Sequence, residues 1–510
     1  MLHPFLLAVF PVLYLWSQNI EHAVSLLDVL PSLLVVLGAT GLVFALAWLG
    51  IGRDAARAGI VTSIAVLLTL TYGFAYRILE SARLFGIGVQ HRFLIPILLV
   101  LAVAGIVGTV RRGWKPEALT RGLNLVALAL VIMNLGSIAW FAVRAPGADA
   151  VRAPAGTRGQ PANPTGPARD IYYVVLDRYG SERVLREHLG FDNSSFTQAL
   201  RDRGFYVADA SRSNYPRTAQ SMASSLNMDY LDRLVDVARA GPGDWTPVYH
   251  LIRRHQVGRL LSTRGYRYVH IGSWWEPTAD NPMADVNMRF GGLSEFERVV
   301  YETTLLAPLS EMLFGGERGA VEYERVRWQL EALDTARGIE GPKFVLAHIL
   351  SPHEPFVFDR RGRFVPQARR ARGARSTLYA DQVRYLNRRL LAFLDRLLVG
   401  PEETWPIVIL QADEGPFEAP GRWAGKSARL LDRKFGILNA YYLPGEREPG
   451  LYHTITPVNS FRILLSRVFG ATLPRLPDRN IVWPDQRHLY EFTDVTDRLP
   501  APRDDTATGS

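Results

Sequence analysis

The sequence predicts an N-terminal α-helical membrane domain of five spans, followed by an α/β domain built on a mainly parallel central sheet. Three observations lead there. The mean hydropathy of the 510 residues is +0.02, with 48% hydrophobic and 21% charged residues, too apolar for a uniformly soluble chain and too polar for a polytopic transporter. The long apolar runs are confined to residues 1–143. Beyond residue 170, short β-rich runs alternate with amphipathic helical patterns, the signature of a sheet covered by helices on both faces.

The spans are read at Pro4–Ile20, Pro31–Ile51, Ala58–Tyr76, Phe93–Val110 and Leu123–Val143, each approaching the ~20 residues a bilayer helix needs. The first contains Pro11 but is not read as a cleavable leader, since no Lys or Arg precedes it and no small-residue cleavage site follows. Arg53, Arg57, Arg111, Arg112, Lys115 and Arg121 fall in one set of loops, and Arg77, Arg83 and Arg92 in the other. This bias places the N-terminus in the cytoplasm. An odd number of spans then puts everything after Val143 outside a bacterial cytoplasmic membrane.

Residues 144–169 are rich in Ala, Pro, Gly and Arg and read as a tether. Residues 170–498 form the globular domain, and 499–510 (LPAPRDDTATGS) read as a disordered tail. Strands are expected at Ile171–Leu176, Tyr266–Ile271, Phe344–Leu350, Ile407–Gln411 and Gly436–Leu443, with long helices at Thr377–Leu398 and Pro457–Val468. Sites in such sheets gather at the carboxyl ends of the strands.

Composition removes several chemistries. With no cysteine, disulfides, thiolate metal sites, iron–sulfur clusters and cysteine nucleophiles are excluded. The net charge of +9 is carried by scattered Arg, with Lys115, Lys343, Lys426 and Lys434 the only lysines. Without a basic block, no nucleic-acid partner is expected.

Three strand tips carry candidate ligands: Asp177 after IYYVVL, His348 and His353 in VLAHILSPHEPF, and Asp413 and Glu414 in VILQADEGPF. Carboxylates and imidazole converging on one sheet edge suit a divalent metal. Each acidic residue taken alone is equally a turn former or helix cap. Two adjacent carboxylates at a buried tip, however, repel unless a cation or guanidinium lies between them.

In SRSNYPRTAQSMASSLNM, Pro216 ends an extended approach and Thr218 opens a helix-compatible stretch. Its hydroxyl is placed either as a plain N-cap or beside an anion bound at the helix N-terminus. Arg217 offers a bidentate donor to a phosphoryl group. Trp274 and Trp275 follow a strand and line either a substrate groove or the core, and His270 reads as structural. Tyr379, Asp381 and Asn387 lie on the polar face of an amphipathic helix, ordinarily solvated.

Taken together, LDRYG, SNYPRTAQSMASSLN, HILSPHEPF, QADEGP and FGILNAYYLP behind five spans resemble the sulfatase-like branch of the alkaline phosphatase superfamily. Its membrane-anchored members include lipoteichoic acid synthases and phosphoethanolamine transferases. The resemblance implies an alkaline-phosphatase-like fold for the globular domain. It further implies Asp177, Thr218 and Asp413 as metal ligands, Thr218 as nucleophile, and His353 as a contact to substrate or leaving group. The position usually held by a ligand His is Glu414 here. A set of Asp, Thr, Asp and Glu oxygens favours one manganese, magnesium or calcium ion over zinc.

Sulfatases of this superfamily use a formylglycine made from Cys or Ser in a Cys/Ser-x-Pro-x-Arg motif. This chain has no Cys, and the residue two before Pro216 is Asn214, so sulfate-ester cleavage is disfavoured and phosphorus chemistry through Thr218 is expected. The resulting expectation is a metal-dependent transferase moving a phospho-substituted alcohol from a membrane lipid donor to an envelope lipid or glycan acceptor. A phosphodiesterase or phosphatase using the same residues, and an inactive envelope-binding relative motivated by Glu414, are the alternatives. The oligomeric state is left open.

Overall fold

In a computed structural model of the chain, the described residues are 1–22, 24–80, 83–84, 87–88, 90–111, 115–144, 150–152, 168–314, 317, 319–417, 421–445 and 450–501. Most of the expected tether, and the tail from 502 onward, lie outside them. The chain forms two compact units, Met1–Ala145 with Gly292–Gly316, and Pro146–Gly291 with Glu317–Ser510.

The first unit contains helices α1 (His3–Asn19), α2 (Leu26–Gly50), α3 (Ala55–Leu70), α4 (Tyr72–Leu79), α5 (His91–Val110) and α6 (Glu117–Arg144). Local chemistry sets their ends. Ser25 and Asp28 form a capping box at the start of α2, and the Asp54 carboxylate accepts the Ala56 and Arg57 N–H groups, each at 3.0 Å, to open α3.

Among the described residues, α2, α5 and α6 are each long and apolar enough to cross a bilayer. The pair α3 and α4, bent by 50°, makes a fourth span if counted as one. The fifth expected span corresponds to α1, whose 17 residues reach only about 26 Å at 1.5 Å per residue. Three to four apolar helices are thus established, and outward-facing residues such as Leu34, Leu46, Leu101 and Leu125 present the apolar surface of a membrane-anchored unit.

Composition alone places 170–498 in one globular body, but Gly292–Gly316 packs with the N-terminal helices. The segment carries helices Glu295–Glu302 and Leu306–Phe314. Phe296, Val299 and Val300 join the cluster formed by Val12, Leu15, Val29 and Val36.

The second unit is organised on seven strands: β1 (Ile171–Leu176), β2 (Tyr206–Val207), β3 (Arg267–Ile271), β4 (Val286–Met288), β5 (Lys343–Ile349), β6 (Ile407–Gln411) and β7 (Asn439–Tyr442). Their order is β2-β7-β6-β1-β5-β3-β4. Only the β2–β7 and β6–β7 pairings are antiparallel, as expected of a mainly parallel sheet. Alternation along β1 fills both faces: Tyr172 packs on Phe393 of the Arg375–Leu397 helix, and Tyr173 meets Phe461 of the Pro457–Phe469 helix edge-on.

Register then positions the site. Leu176 pairs with Ile349 of β5, and Val175 with Gln411 of β6. The three central strands therefore run out at one edge, where their parallel direction delivers Asp177, the 348–353 segment and Asp413 side by side.

Candidate active site

Asp177, His348 and Asp413 are all buried, and one donor atom from each lies within 4.8 Å of the others. The Asp177 N–H donates to the Ile349 carbonyl (3.0 Å), which locks the end of β1 onto β5. Asp413 accepts the Arg178 N–H through Oδ1 (3.0 Å). The intervening Arg178 has φ 65°, a left-handed conformation unusual for a side chain of this size. Tyr379 braces this turn, its hydroxyl donating to the Arg178 carbonyl (2.8 Å) and accepting the Gly180 N–H (3.1 Å).

Burial raises the Asp413 pKa far above the usual carboxylate range, and the neighbouring Asp177 and Glu414 charges add to the rise. The Thr218 side chain and the Arg178 N–H act in the opposite direction. Burial, with His353 and His270 nearby, lowers His348 to about 3, so its imidazole is neutral at physiological pH. Its Nδ1 pairs with the Thr278 hydroxyl at 2.9 Å. Its Nε2 lies 3.9 Å from Asp177 Oδ2 and makes no hydrogen bond among the described residues. A neutral imidazole oriented through one nitrogen, with the other aimed at two carboxylates, is the arrangement of a metal ligand.

Glu414 occupies a different environment from the one expected. Its Oε1 accepts from Arg178 Nε at 2.9 Å, and its Oε2 pairs with Lys434 Nζ at 2.8 Å. Burial alone would raise its pKa, but Lys434 and Arg178 outweigh burial and hold it below the usual range. The carboxylate expected to replace a ligand histidine thus serves as counter-ion to two buried cations, and His348 supplies the third donor facing Asp177 and Asp413. Gly415 permits this turn. Its N–H donates to the Lys434 carbonyl (2.7 Å), and a Cβ there would run into the carbonyls of Arg433 and Lys434.

Glu414 engages Lys434 and Arg178 at close range, while Arg178 Nε is 4.0 Å from Asp177 Oδ1. The Asp177 and Asp413 carboxyl groups are thus left beside the His348 lone pair. These residues fit a divalent ion. The four-oxygen set behind the preference for manganese, magnesium or calcium is not the one assembled here: imidazole with carboxylate also accommodates zinc.

Thr218 is the first residue of the Thr218–Asn227 helix, while Arg217 takes the N-cap position and no side chain caps the helix. The plain-cap reading of Thr218 is therefore not realised. Its half-buried side chain lies beside Asp413, and Ser221 Oγ, one turn later, donates to the Asp413 carbonyl (2.6 Å), tying this helix to the tip of β6. The helix start thus offers uncapped N–H groups at the site.

His353 is half-buried, and its Nδ1 faces the Glu354 carbonyl. A carbonyl can only accept, so Nδ1 carries the proton and Nε2 presents a lone pair. Burial, then Arg178, lowers its pKa. The Trp275 ring meets His348 (5.8 Å) and Tyr249 (5.7 Å) edge-on, while Trp274 borders a small crevice with Glu354 and Gln382. His270 is buried and bonded through Nε2 to the Thr278 carbonyl (3.0 Å), a structural residue as expected.

Sequence reasoning put His348 at a strand tip without assigning it a role, and missed Arg178, Lys434 and Tyr379. Arg178 follows Asp177 directly in the LDRYG motif. Lys434 has no local signal beyond the rarity of lysine, and helical periodicity assigns Tyr379 to a solvated face.

No family model and no curated protein matches the chain. Solved structures do. The C-terminal periplasmic domain of EcEptC from Escherichia coli, in complex with Zn, is 11% identical with a TM-score of 0.43, over 67% of this chain and 98% of that one. The integral membrane lipooligosaccharide phosphoethanolamine transferase A (EptA) from Neisseria meningitidis is 11% identical with a TM-score of 0.40, over 91% and 95%. Ps i-CgsB is 14% identical with a TM-score of 0.39, over 60% and 73%. The chemistry of the site rests on the residues of this chain.

Proposed function

We propose that the chain is a membrane-anchored, metal-dependent phosphotransferase that moves a phospho-substituted alcohol, such as phosphoethanolamine or phosphoglycerol, from a lipid donor to an envelope lipid or glycan. One observation carries the reading: an uncapped helix start bearing Thr218 stands beside a buried cluster of Asp177, His348 and Asp413. That combination supplies a hydroxyl nucleophile, amide donors for phosphoryl oxygens and ligands for a divalent ion.

Thr218 Oγ forms a bond to the donor phosphorus as the bond from phosphorus to the lipid alcohol breaks, and the hydroxyl proton leaves, in net terms, with that alcohol. In the second half, the acceptor hydroxyl attacks the phospho-threonine, and Thr218 recovers its proton. His353 Nε2, unprotonated at neutral pH, takes the acceptor's proton and relays it, acting as base where the resemblance implies a contact to substrate or leaving group. A divalent ion on Asp177, His348 and Asp413 supplies, when bound, Lewis acidity that favours the Thr218 alkoxide and neutralises phosphoryl charge. Arg217, Trp274 and Trp275, the last beside His348, contribute to substrate binding in this reading.

The α1 helix, extended by the turn Ile20–His22, serves as the fifth span, and the loop-charge bias places the catalytic unit outside the cytoplasmic membrane. The test uses full-length protein in vesicles containing phosphatidylethanolamine labelled in its head group. Label should appear on Thr218 with release of diacylglycerol, and Thr218→Ala should lose both while keeping the fold. Unchanged turnover in that variant sinks the reading, and label released as free phosphoethanolamine in the presence of acceptor assigns hydrolysis instead.

A further inference from the structure

A cavity of about 310 Å³ lies wholly within the first unit, walled by α2, α3 and the Glu295–Glu302 helix. Val36, Ala39 and Val43 line it from α2, Ala65 and Val66 from α3, and Val300 from the third wall. Its volume falls at the lower end of the ~300–1,000 Å³ of small-molecule sites. Its polar lining is sparse: Ser32, Thr40, Thr69, Glu297, Tyr301 and Thr304.

The third wall is held by backbone. The Gly73 N–H donates to the Thr303 carbonyl (2.8 Å), and the Leu305 N–H donates to the Thr69 carbonyl (2.7 Å). These bonds fall at the 50° bend between α3 and α4, so the Gly292–Gly316 excursion satisfies groups that the broken helix exposes. A Cβ on Gly73 would lie 2.7 Å from Thr303 Cα and 2.9 Å from the Glu302 carbonyl, so only glycine admits this approach. The excursion docks at the end of α3 and beside the start of α2, the ends that loop charge places outside. The cavity therefore runs along the outer half of α3, and on α2 from Pro31 near the outer end to Val43, just past the middle of the helix. It is continuous with residues that face outward on α2, Leu34, Val35 and Leu42, all at least 62% exposed, whose surroundings in a membrane are acyl chains.

We propose that this groove holds one acyl chain of an outer-leaflet phospholipid, with Glu297 and Tyr301 at the level of its head group. In the transferase reading above, on which this last clause rests, that lipid is the donor. The apolar walls match a hydrocarbon chain, and, apart from Thr40, whose hydroxyl donates to the Val36 carbonyl, the polar residues lie toward the excursion, as the depth gradient of a bilayer requires.

The test places full-length protein in nanodiscs of phosphatidylethanolamine and phosphatidylglycerol with a trace of phosphatidylethanolamine bearing a diazirine in one acyl chain. After photolysis, cross-links are mapped by mass spectrometry. Residues of the groove should be labelled at least about fivefold more than exposed Leu46 and Leu101, and Ala39→Trp should remove that excess without changing labelling at Leu101. Gly73→Ala, which displaces the third wall, should do the same from the opposite side. Even labelling over all lipid-facing helices, or groove labelling that persists in a folded Ala39→Trp protein, overturns the proposal. Thr218→Ala separates the two readings: groove labelling must survive in it. Labelling with no transfer by the wild type leaves the groove standing and removes the transferase reading. Full turnover with the groove filled refutes the donor assignment.

Discussion

If Glu414 is the counter-ion of Arg178 and Lys434, the three residues must be energetically coupled in protein stripped of metal. Glu414→Gln and Lys434→Met each keep approximate shape and remove one charge. At contacts of 2.8 and 2.9 Å, the gross attraction is about 6 kcal/mol per pair at an effective dielectric of ~20. Desolvation offsets much of this, since both partners are buried. Removing one member leaves an uncompensated charge, which costs roughly 3–5 kcal/mol. Each single variant should therefore lower the stability of the chelator-treated protein by that amount, seen as a fall in Tm of at least ~6 °C. The double variant should cost clearly less than the sum of the singles. A thermal or denaturant unfolding cycle followed by fluorescence, with chelator throughout, measures the coupling. Additivity within ~0.5 kcal/mol refutes the pairing, and Glu414 would return to the position of a metal ligand. His348→Ala is the companion measurement, expected to weaken divalent-ion binding in calorimetry at least about tenfold.

Three further outcomes are expected. Gly415→Ala forces a methyl against the Arg433 and Lys434 carbonyls and should destabilise by about 1–3 kcal/mol, with loss of metal binding because the Asp413–Glu414 turn must shift; an unchanged Tm would contradict the packing. His353→Ala should lower kcat by about 10²–10⁴-fold, and because burial and Arg178 depress the His353 pKa, the acid limb of the wild-type kcat/KM profile should fall below pH 6.5; a limb at or above that value argues against a buried base. Asp432 accepts Arg183 at 2.8 and 2.7 Å and His188 at 3.0 Å, partners that outweigh burial and hold its pKa well below 3.8. Its stabilisation is therefore complete above the unfolded-state value near 3.8 and is lost as pH falls toward the folded value, and Asp432→Asn should flatten the acid limb of the stability curve.

How much was legible depended on whether a feature is local. Strands Ile171–Leu176 and Ile407–Gln411 were read to the residue because both are continuous apolar runs bounded by acidic turns. The Pro457–Phe469 helix announced its start with proline. Gly292–Gly316 is not legible as part of the first unit because its composition resembles any amphipathic surface helix. What identifies it is the close approach of Thr303 to Gly73, which joins positions more than two hundred residues apart. Helical periodicity places Tyr379 near polar neighbours on a solvated face, whereas its hydroxyl closes the Arg178 turn.

By itself the sequence determined the division into an apolar helical block and a mainly parallel α/β unit, and the strand tips at which chemistry would gather. Periodicity and the carboxyl-edge rule depend only on neighbours along the chain. Which tip residues face one another was decided by the tertiary structure. The parallel register of β1, β5 and β6 sets His348 against Asp177 and Asp413, while Lys434, from another segment, draws Glu414 away. Charge pairing among buried groups depends on distances of a few ångströms between remote segments, and no spacing in the sequence encodes them.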